Sequence, residues 1–385
     1  HATRSLCAIM LLDSAKIQER DAEYYNKRLQ KRRKGKAKDH EMREPLYTAQ
    51  DAHNTMNLFN GYAYERWFSI RPGVDVLFRD AGHILGSASV TLKIQEGGKT
   101  HMIGFSGDVG RPDRPILRDP IPMPELDYLI CESTYGNKEH LGKPDEIDKF
   151  LHVIEETCLE KKGKLIIPAF SVGRTQEIVY MLDQLETHGK LPRIPVYVDS
   201  PLAVNATTVF GSHPECYDKQ LNEYLLIDDN PFGFNNLTYV RDVEISKSLN
   251  QSTEPMIIIS ASGMMTAGRI RHHAFNNISK SNTTFLMVGY CSPDSLGGQL
   301  RAGKEVVRIF GEEKVVHANV EIMDSFSAHA DRSELIDFTA NQRRTLKNMF
   351  LVHGTPDRQA ALAASMQESG IRSVHVPKLG EEIVI

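Results

Sequence analysis

The chain has 385 residues, 41% apolar and 25% charged, with a net charge of −4. That length allows two or three domains, and the ordinary globular composition excludes a fibrous or low-complexity chain. The slight negative charge excludes a global field for nucleic acid and leaves only local basic patches. The five scattered cysteines, with no Cys-x-x-Cys, argue against a disulfide framework or a thiolate zinc site and fit a reducing, cytoplasmic setting.

The first residue is His1, and "ATRSLCAIMLLDSA" reads as a helix already under way, so a fragment lacking its natural start is expected. The early apolar run, residues 6–12, is too short to span a membrane and lacks the flanks of a signal peptide. Residues 16–44 are charge-dense and include "KRLQKRRKGKAK". A solvated helix face or a loop is expected there, with a phosphate-contacting patch as the alternative. Next come strand patterns: "VDVLFR", then "ASVTLKIQ" and "THMIGFSGD" joined by "EGGK", a hairpin signal. "LDYLICEST" is a further buried strand.

From "GKLIIPAF" the rhythm changes. A helix follows, with Ile178, Met181, Leu182 and Leu185 at i, i+3, i+4 and i+7. "IPVYVDS" precedes a helix over 202–210, "PMIIISAS" precedes one over 266–278, and "TTFLMVGYC" is another strand. This alternation predicts a parallel, doubly wound sheet. The tail reads as strand over "HANVEIMDSFSAHAD", helix over 333–342, strand at "NMFLVHGTPD", helix over 358–369, and strand in "SVHVPKLGEEIVI".

Several apolar strands end on a polar residue: Asp108, Glu132 and His353, with His329 a short loop beyond another. Such groups are costly at the end of a buried strand unless used or paired. The carboxyl ends of strands are where open α/β sheets build their sites. His83, set in the glycine-flanked "GHILGS", is by itself an ordinary turn histidine. Together the five residues suggest one polar edge. Two histidines and a carboxylate suit Zn²⁺, and a bridging carboxylate suits a metal pair.

Carrying "GHILGS", "FSGDVGR", "CESTYG", "PAFSVGRTQE", "VYVDSPLA", "ASGMMTAGR", "FSAHAD" and "LVHG" in this order, the chain resembles the metallo-β-lactamase-fold nucleases with a β-CASP insertion. That group includes the cleavage-factor endonuclease of pre-mRNA 3′ processing and bacterial RNA-processing homologues. The resemblance implies an α/β fold: an N-terminally truncated αββα metallo-β-lactamase sandwich with an inserted doubly wound β-CASP domain. The expected division is 1–138 and 326–385 for the sandwich, the latter with the RNA-specificity segment, and 139–325 for the insert.

By the same resemblance His83 and His353 each ligate one of two zinc ions, Asp108 bridges both, and Glu132 and His329 form an acid dyad. Hydroxide formed at the metals would attack phosphorus, and His329 would protonate the leaving oxygen. Ser171, Arg174, Ser262, Gly263 and Arg269, where helices begin, are expected to hold the phosphates of single-stranded RNA through helix N-termini and bidentate guanidinium contacts. Tight strand–helix packing is the alternative for the glycines. A basic residue common in the family near Gln299 is absent. Glu132 and His353 favour RNA over DNA, and a homodimer is among the expected assemblies.

The family's His-x-His-x-Asp-His, four of its seven ligand side chains, is also absent from the 15 histidines here. The expectation is a lost leader that carried it, and weak or no metal binding by an inactive fragment. Two other readings stay open: a non-catalytic RNA-binding scaffold and a metallo-hydrolase of small esters.

Overall fold

The computed structural model describes residues 1–32, 42–139, 146–323 and 328–384. They form two compact units, His1–Tyr62 and Ala63–Ile385. The first is helical, with α1 (Ala2–Arg32) and α2 (Ala49–Met56). α2 opens on a capping box, in which Thr48 and Asp51 each accept the other's backbone N–H. The basic stretch is helical to residue 32, and its remainder, 33–41, lies outside the described residues.

In the second unit β1 (Phe68–Arg71), β2 (Val74–Asp80), β3 (Ala88–Glu96) and β4 (Lys99–Phe105) form an antiparallel meander. Gly97 and Gly98, both at positive φ, make the β3–β4 turn that the Gly-Gly pair predicts. β5 (Tyr128–Glu132) adds parallel to β4. The chain then leaves this sheet through α3 (Glu146–Ile154).

The second sheet holds β6 (Lys164–Pro168), β7 (Val196–Val198), β8 (Leu237–Tyr239), β9 (Met256–Ser260), β10 (Thr284–Met287) and a last strand, β13 (Asn319–Ile322), reached through the hairpin β11 (Val306–Ile309) and β12 (Glu312–Val315). Its order is β13-β10-β6-β9-β7-β8, and every pairing is parallel. Between the strands run α4 (Arg174–Thr187), α5 (Pro201–Gly211), α6 (Lys219–Tyr224), α7 (Val243–Gln251), α8 (Ile270–Asn277) and α9 (Leu296–Arg301). β6, β9 and β10 are buried at every residue, as strands covered on both faces must be. The helical stripe Ile178, Met181, Leu182 and Leu185 of α4 is buried as its spacing predicts.

The chain returns through α10 (Arg332–Phe338) to β14 (Asn348–Val352), α11 (Pro356–Glu368) and β15 (Val374–His375). β14 inserts parallel beside β5, with Val352 opposite Glu132. Leu129, Cys131, Met349 and Leu351 of these two strands pack with Leu335, Leu362 and Met366 of α10 and α11. That core brings residues about 220 positions apart to one edge of the first sheet.

Two of the differences from the sequence reading have a local cause. The helix expected from Thr266 starts at Ile270, because Ser262 Oγ accepts the N–H groups of Thr266 and Ala267 and holds a loop instead. The final strand pairs only at Val374–His375; beyond it the Glu381 N–H bonds the Lys378 carbonyl and turns the chain.

Asp80 closes β2 in a nearly water-free setting and accepts the Gly82 N–H at 3.0 Å. Burial pushes its carboxyl up to about 6, against the pull of that hydrogen bond and of Arg118. The folded state therefore binds this proton more tightly than the unfolded chain, where an Asp titrates near ~3.9. The stabilisation is complete below that value and is lost as pH rises through about 6. Asp80→Asn should abolish this loss and leave the protein about 1–3 kcal/mol more stable than its parent at pH 8, with little difference at pH 4. Urea unfolding at the two pH values measures it.

Candidate active site

The edge of the first sheet is assembled by close backbone approaches. Gly110, in the loop after β4, sits against the Gly82–His83 peptide: a Cβ at position 110 would lie 1.9 Å from the Gly82 carbonyl oxygen. The Gly110 N–H also bonds the Ala81 carbonyl at 2.7 Å. Only glycine permits this contact, which fixes the loop bearing Asp108 against the loop bearing His83. Ser87 Oγ accepts the His83 N–H at 3.0 Å. On the other side the Ala330 N–H bonds the Val109 carbonyl at 2.8 Å and ties in the segment of His329. His353 follows β14 at a φ of 53°, the left-handed region that a non-glycine residue rarely occupies.

Asp108 stands at the centre. One carboxylate oxygen is 3.8 Å from His83 Nε2, and the other is 3.1 Å from His353 Nδ1. Two sets of donor atoms, those of His83, Asp108 and His329 and those of Asp108, Glu132 and His353, each lie within 4.8 Å of one another. A carboxylate that turns one oxygen to each of two imidazoles fits a metal pair sharing that residue.

Behind it lies a buried pair. Glu132, 2% exposed, receives the Val109 N–H at 2.6 Å, the Thr134 N–H at 3.3 Å and His329 Nδ1 at 3.2 Å. Burial works to raise the Glu132 pKa, but its bond to His329, that ring's charge, the Thr134 side chain and the Val109 N–H outweigh it, and the net direction is down. The mirror image holds at His329: burial opposes the charged ring, yet Glu132 and then Asp108 carry its pKa above the usual imidazole value. His83 moves the other way, lowered by burial and then by the neighbouring His329, whose ring centroid is 4.4 Å away.

The Beta-Casp domain family matches residues 175–300, and the family described as Zn-dependent metallo-hydrolase RNA specificity domain matches residues 313–377. Ribonuclease TTHA0252 of Thermus thermophilus is 32% identical over 345 residues, 89% of this chain and 77% of its own length. The chain belongs to the β-CASP metallo-β-lactamase family of RNA nucleases. Transcription termination factor FttA of Pyrococcus horikoshii is 30% identical over 342 residues, and that of Methanocaldococcus jannaschii is 28% identical over 346. The alignments cover 87% and 88% of this chain, which spans about half the length of each factor, 52% and 54%.

In this β-CASP protein the residues expected to hold phosphate sit on loops and helix starts of the inserted sheet. Arg174 is buried and ion-paired to Glu177. Arg269 donates to Asp199 at 2.6 Å and to the carbonyls of Val240 and Arg241 at 3.2 and 2.7 Å. Internal acceptors thus engage both of the guanidinium groups expected to contact phosphate. The start of α4 is likewise occupied, since the N–H groups of Gly173, Arg174 and Thr175 bond Gln176 Oε1 and the carbonyls of Val172 and Phe170. Ser171 Oγ lies 3.2 Å from Ser200 Oγ, and Gly263 is buried against the Phe170 ring.

Sequence reasoning missed Thr134 and Arg358. Thr134 Oγ1 lies 3.2 Å from His353 Nδ1, and Arg358 donates to the Thr134 carbonyl at 2.8 Å. Thr134 stands inside the "CESTYG" signature, but nothing in the spacing marks its partner more than two hundred residues on. Glu132→Gln removes the charge that holds the His329 proton. The His329 pKa, followed by NMR, should fall, and stability should drop by about 1–3 kcal/mol as the charge-assisted bonds weaken.

Proposed function

We infer that this chain carries the catalytic residues of a zinc-dependent ribonuclease that hydrolyses phosphodiester bonds of single-stranded RNA by a two-metal mechanism. The observation that supports it most is the position of Asp108, one oxygen toward His83 and the other toward His353, beside a buried Glu132–His329 pair. The family described as a zinc-dependent RNA-specificity domain and the relative named a ribonuclease point the same way.

His83, Asp108 and His353 would hold the metal. Bound zinc supplies a Lewis acid and water acidified to near neutral pH. The residues divide the remaining work. A depressed pKa keeps His83 neutral, so its Nε2 lone pair is available to a metal. Asp108, half-exposed, spans the two histidines. His329 presents Glu132 with Nδ1, which leaves Nε2 as the position that gives a proton to the departing oxygen. Its raised pKa favours the protonated ring.

With no His-x-His-x-Asp-His in the sequence, the chain by itself contributes three ligand side chains and should bind zinc weakly. Activity then depends on the remaining ligands being supplied. Among the described residues no helix is long and apolar enough to cross a membrane.

One observation favours a competing role. The His329 donor atom lies near those of His83 and Asp108, as a third ligand would. Zinc stoichiometry separates the two roles. With the remaining ligands supplied, Asp108→Ala should lose bound zinc, whereas His329→Ala should keep it and cut RNA cleavage by ~10²–10⁴. A parallel loss of zinc in His329→Ala would make His329 a ligand. Cleavage of DNA or of small esters in preference to RNA would overturn the substrate assignment.

A further inference from the structure

Two large aromatic side chains stand exposed on the loops that the β-CASP sheet turns toward the candidate active site. Phe170, two residues past β6, is 46% exposed, and Tyr290, three past β10, is 50% exposed. β10, β6 and β9 are adjacent parallel strands, so their carboxyl-end loops lie side by side, where such sheets place ligands.

Both rings ride on anchored backbone. The Phe170 carbonyl accepts from the Thr175 N–H at 3.2 Å and from Thr175 Oγ1 at 2.8 Å. Beneath its ring lies Gly263, where a Cβ would come within 2.9 Å of the ring carbons. Next to Tyr290, the Gly289 carbonyl accepts from Arg301 at 3.0 Å, and Cys291 Sγ lies 3.6 Å from the Gly263 carbonyl. Gly263 thus joins the two platforms.

Each platform leads to a different ligand of the site. Gly173, in the Phe170 loop, packs toward Ile84, the neighbour of His83. The Tyr290 ring is 6.0 Å from the guanidinium of Arg358, which also faces Tyr135 at 5.7 Å and bonds the Thr134 carbonyl beside His353. One aromatic therefore flanks the His83 side, and the other, with a cation beside it, the His353 side.

Fixed aromatic faces next to a phosphodiester-cleaving centre suit unpaired bases, which stack on them without regard to sequence. We propose that Phe170 and Tyr290 are two base-stacking platforms that hold the nucleotides on opposite sides of the scissile phosphate. The assignment rests on the RNA reading above and adds which residues grip the strand. It also gives the buried Gly263 a purpose: any larger residue would displace the Phe170 platform. Because stacking needs splayed bases, the arrangement selects single strands over duplex.

The test uses a short single-stranded oligoribonucleotide and a series in which one nucleotide at a time is replaced by an abasic spacer. Affinities for the full chain, Phe170→Leu and Tyr290→Leu come from fluorescence anisotropy, with thermal melting to verify folding. The parent should show two positions where base removal weakens binding by about 10-fold. Phe170→Leu should become indifferent to the spacer at one of them and Tyr290→Leu at the other, each keeping the parent's response at the second position and its melting temperature. Variants that discriminate intact from abasic strands as the parent does would overturn the platforms while leaving the RNA reading in place. A parent chain that binds no oligoribonucleotide would overturn both.

Discussion

A single buried charge organises this protein's chemistry. Glu132 ends a central strand with its carboxylate almost wholly removed from water, a position that is strongly unfavourable for an isolated anion. Its donors come from three separate stretches of chain: Val109 after β4, Thr134 after β5 and His329 before α10. The need to satisfy one anion therefore draws together the loops that carry Asp108, the Thr134 contact to His353, and His329. Removing the charge would loosen all three loops at once, so structure and function are coupled at this residue.

The same arrangement divides two neighbouring imidazoles into different chemical species. His329 and His83 have ring centroids 4.4 Å apart, yet Glu132 backs only the first with a hydrogen bond. One is pushed toward the protonated form, and burial and its charged neighbour push the other toward the neutral form. In the proposed mechanism these two rings would serve as proton donor and lone-pair donor, set by environment and not by residue type. Asp108 lies near both rings, and its carboxylate is half-exposed.

Much of this was legible in the chain. Apolar strands that stop on Asp, Glu or His mark the edge where β4, β5 and β14 end, and the family motifs mark His83 and the paired Glu132 and His329. The doubly wound sheet was visible in the strand–helix alternation, because buried parallel strands read as continuous apolar runs. What escaped were partnerships between distant residues. Nothing local marks Arg269, at a helix start, as the partner of Asp199, seventy residues earlier. Thr134 and Arg358 acquire their places only when β14 inserts beside β5. The left-handed backbone at His353 is likewise a product of tertiary constraint, invisible to local propensity.

The central claim is that separate strand tips converge on Asp108 as a metal-bridging carboxylate. Anomalous scattering at the zinc edge, from crystals of the chain grown with excess zinc, tests it most directly. The account predicts zinc density within bonding distance of Asp108 and of His83 or His353, lost in Asp108→Ala. Zinc bound elsewhere, or density at this edge that persists without the Asp108 carboxylate, would contradict it.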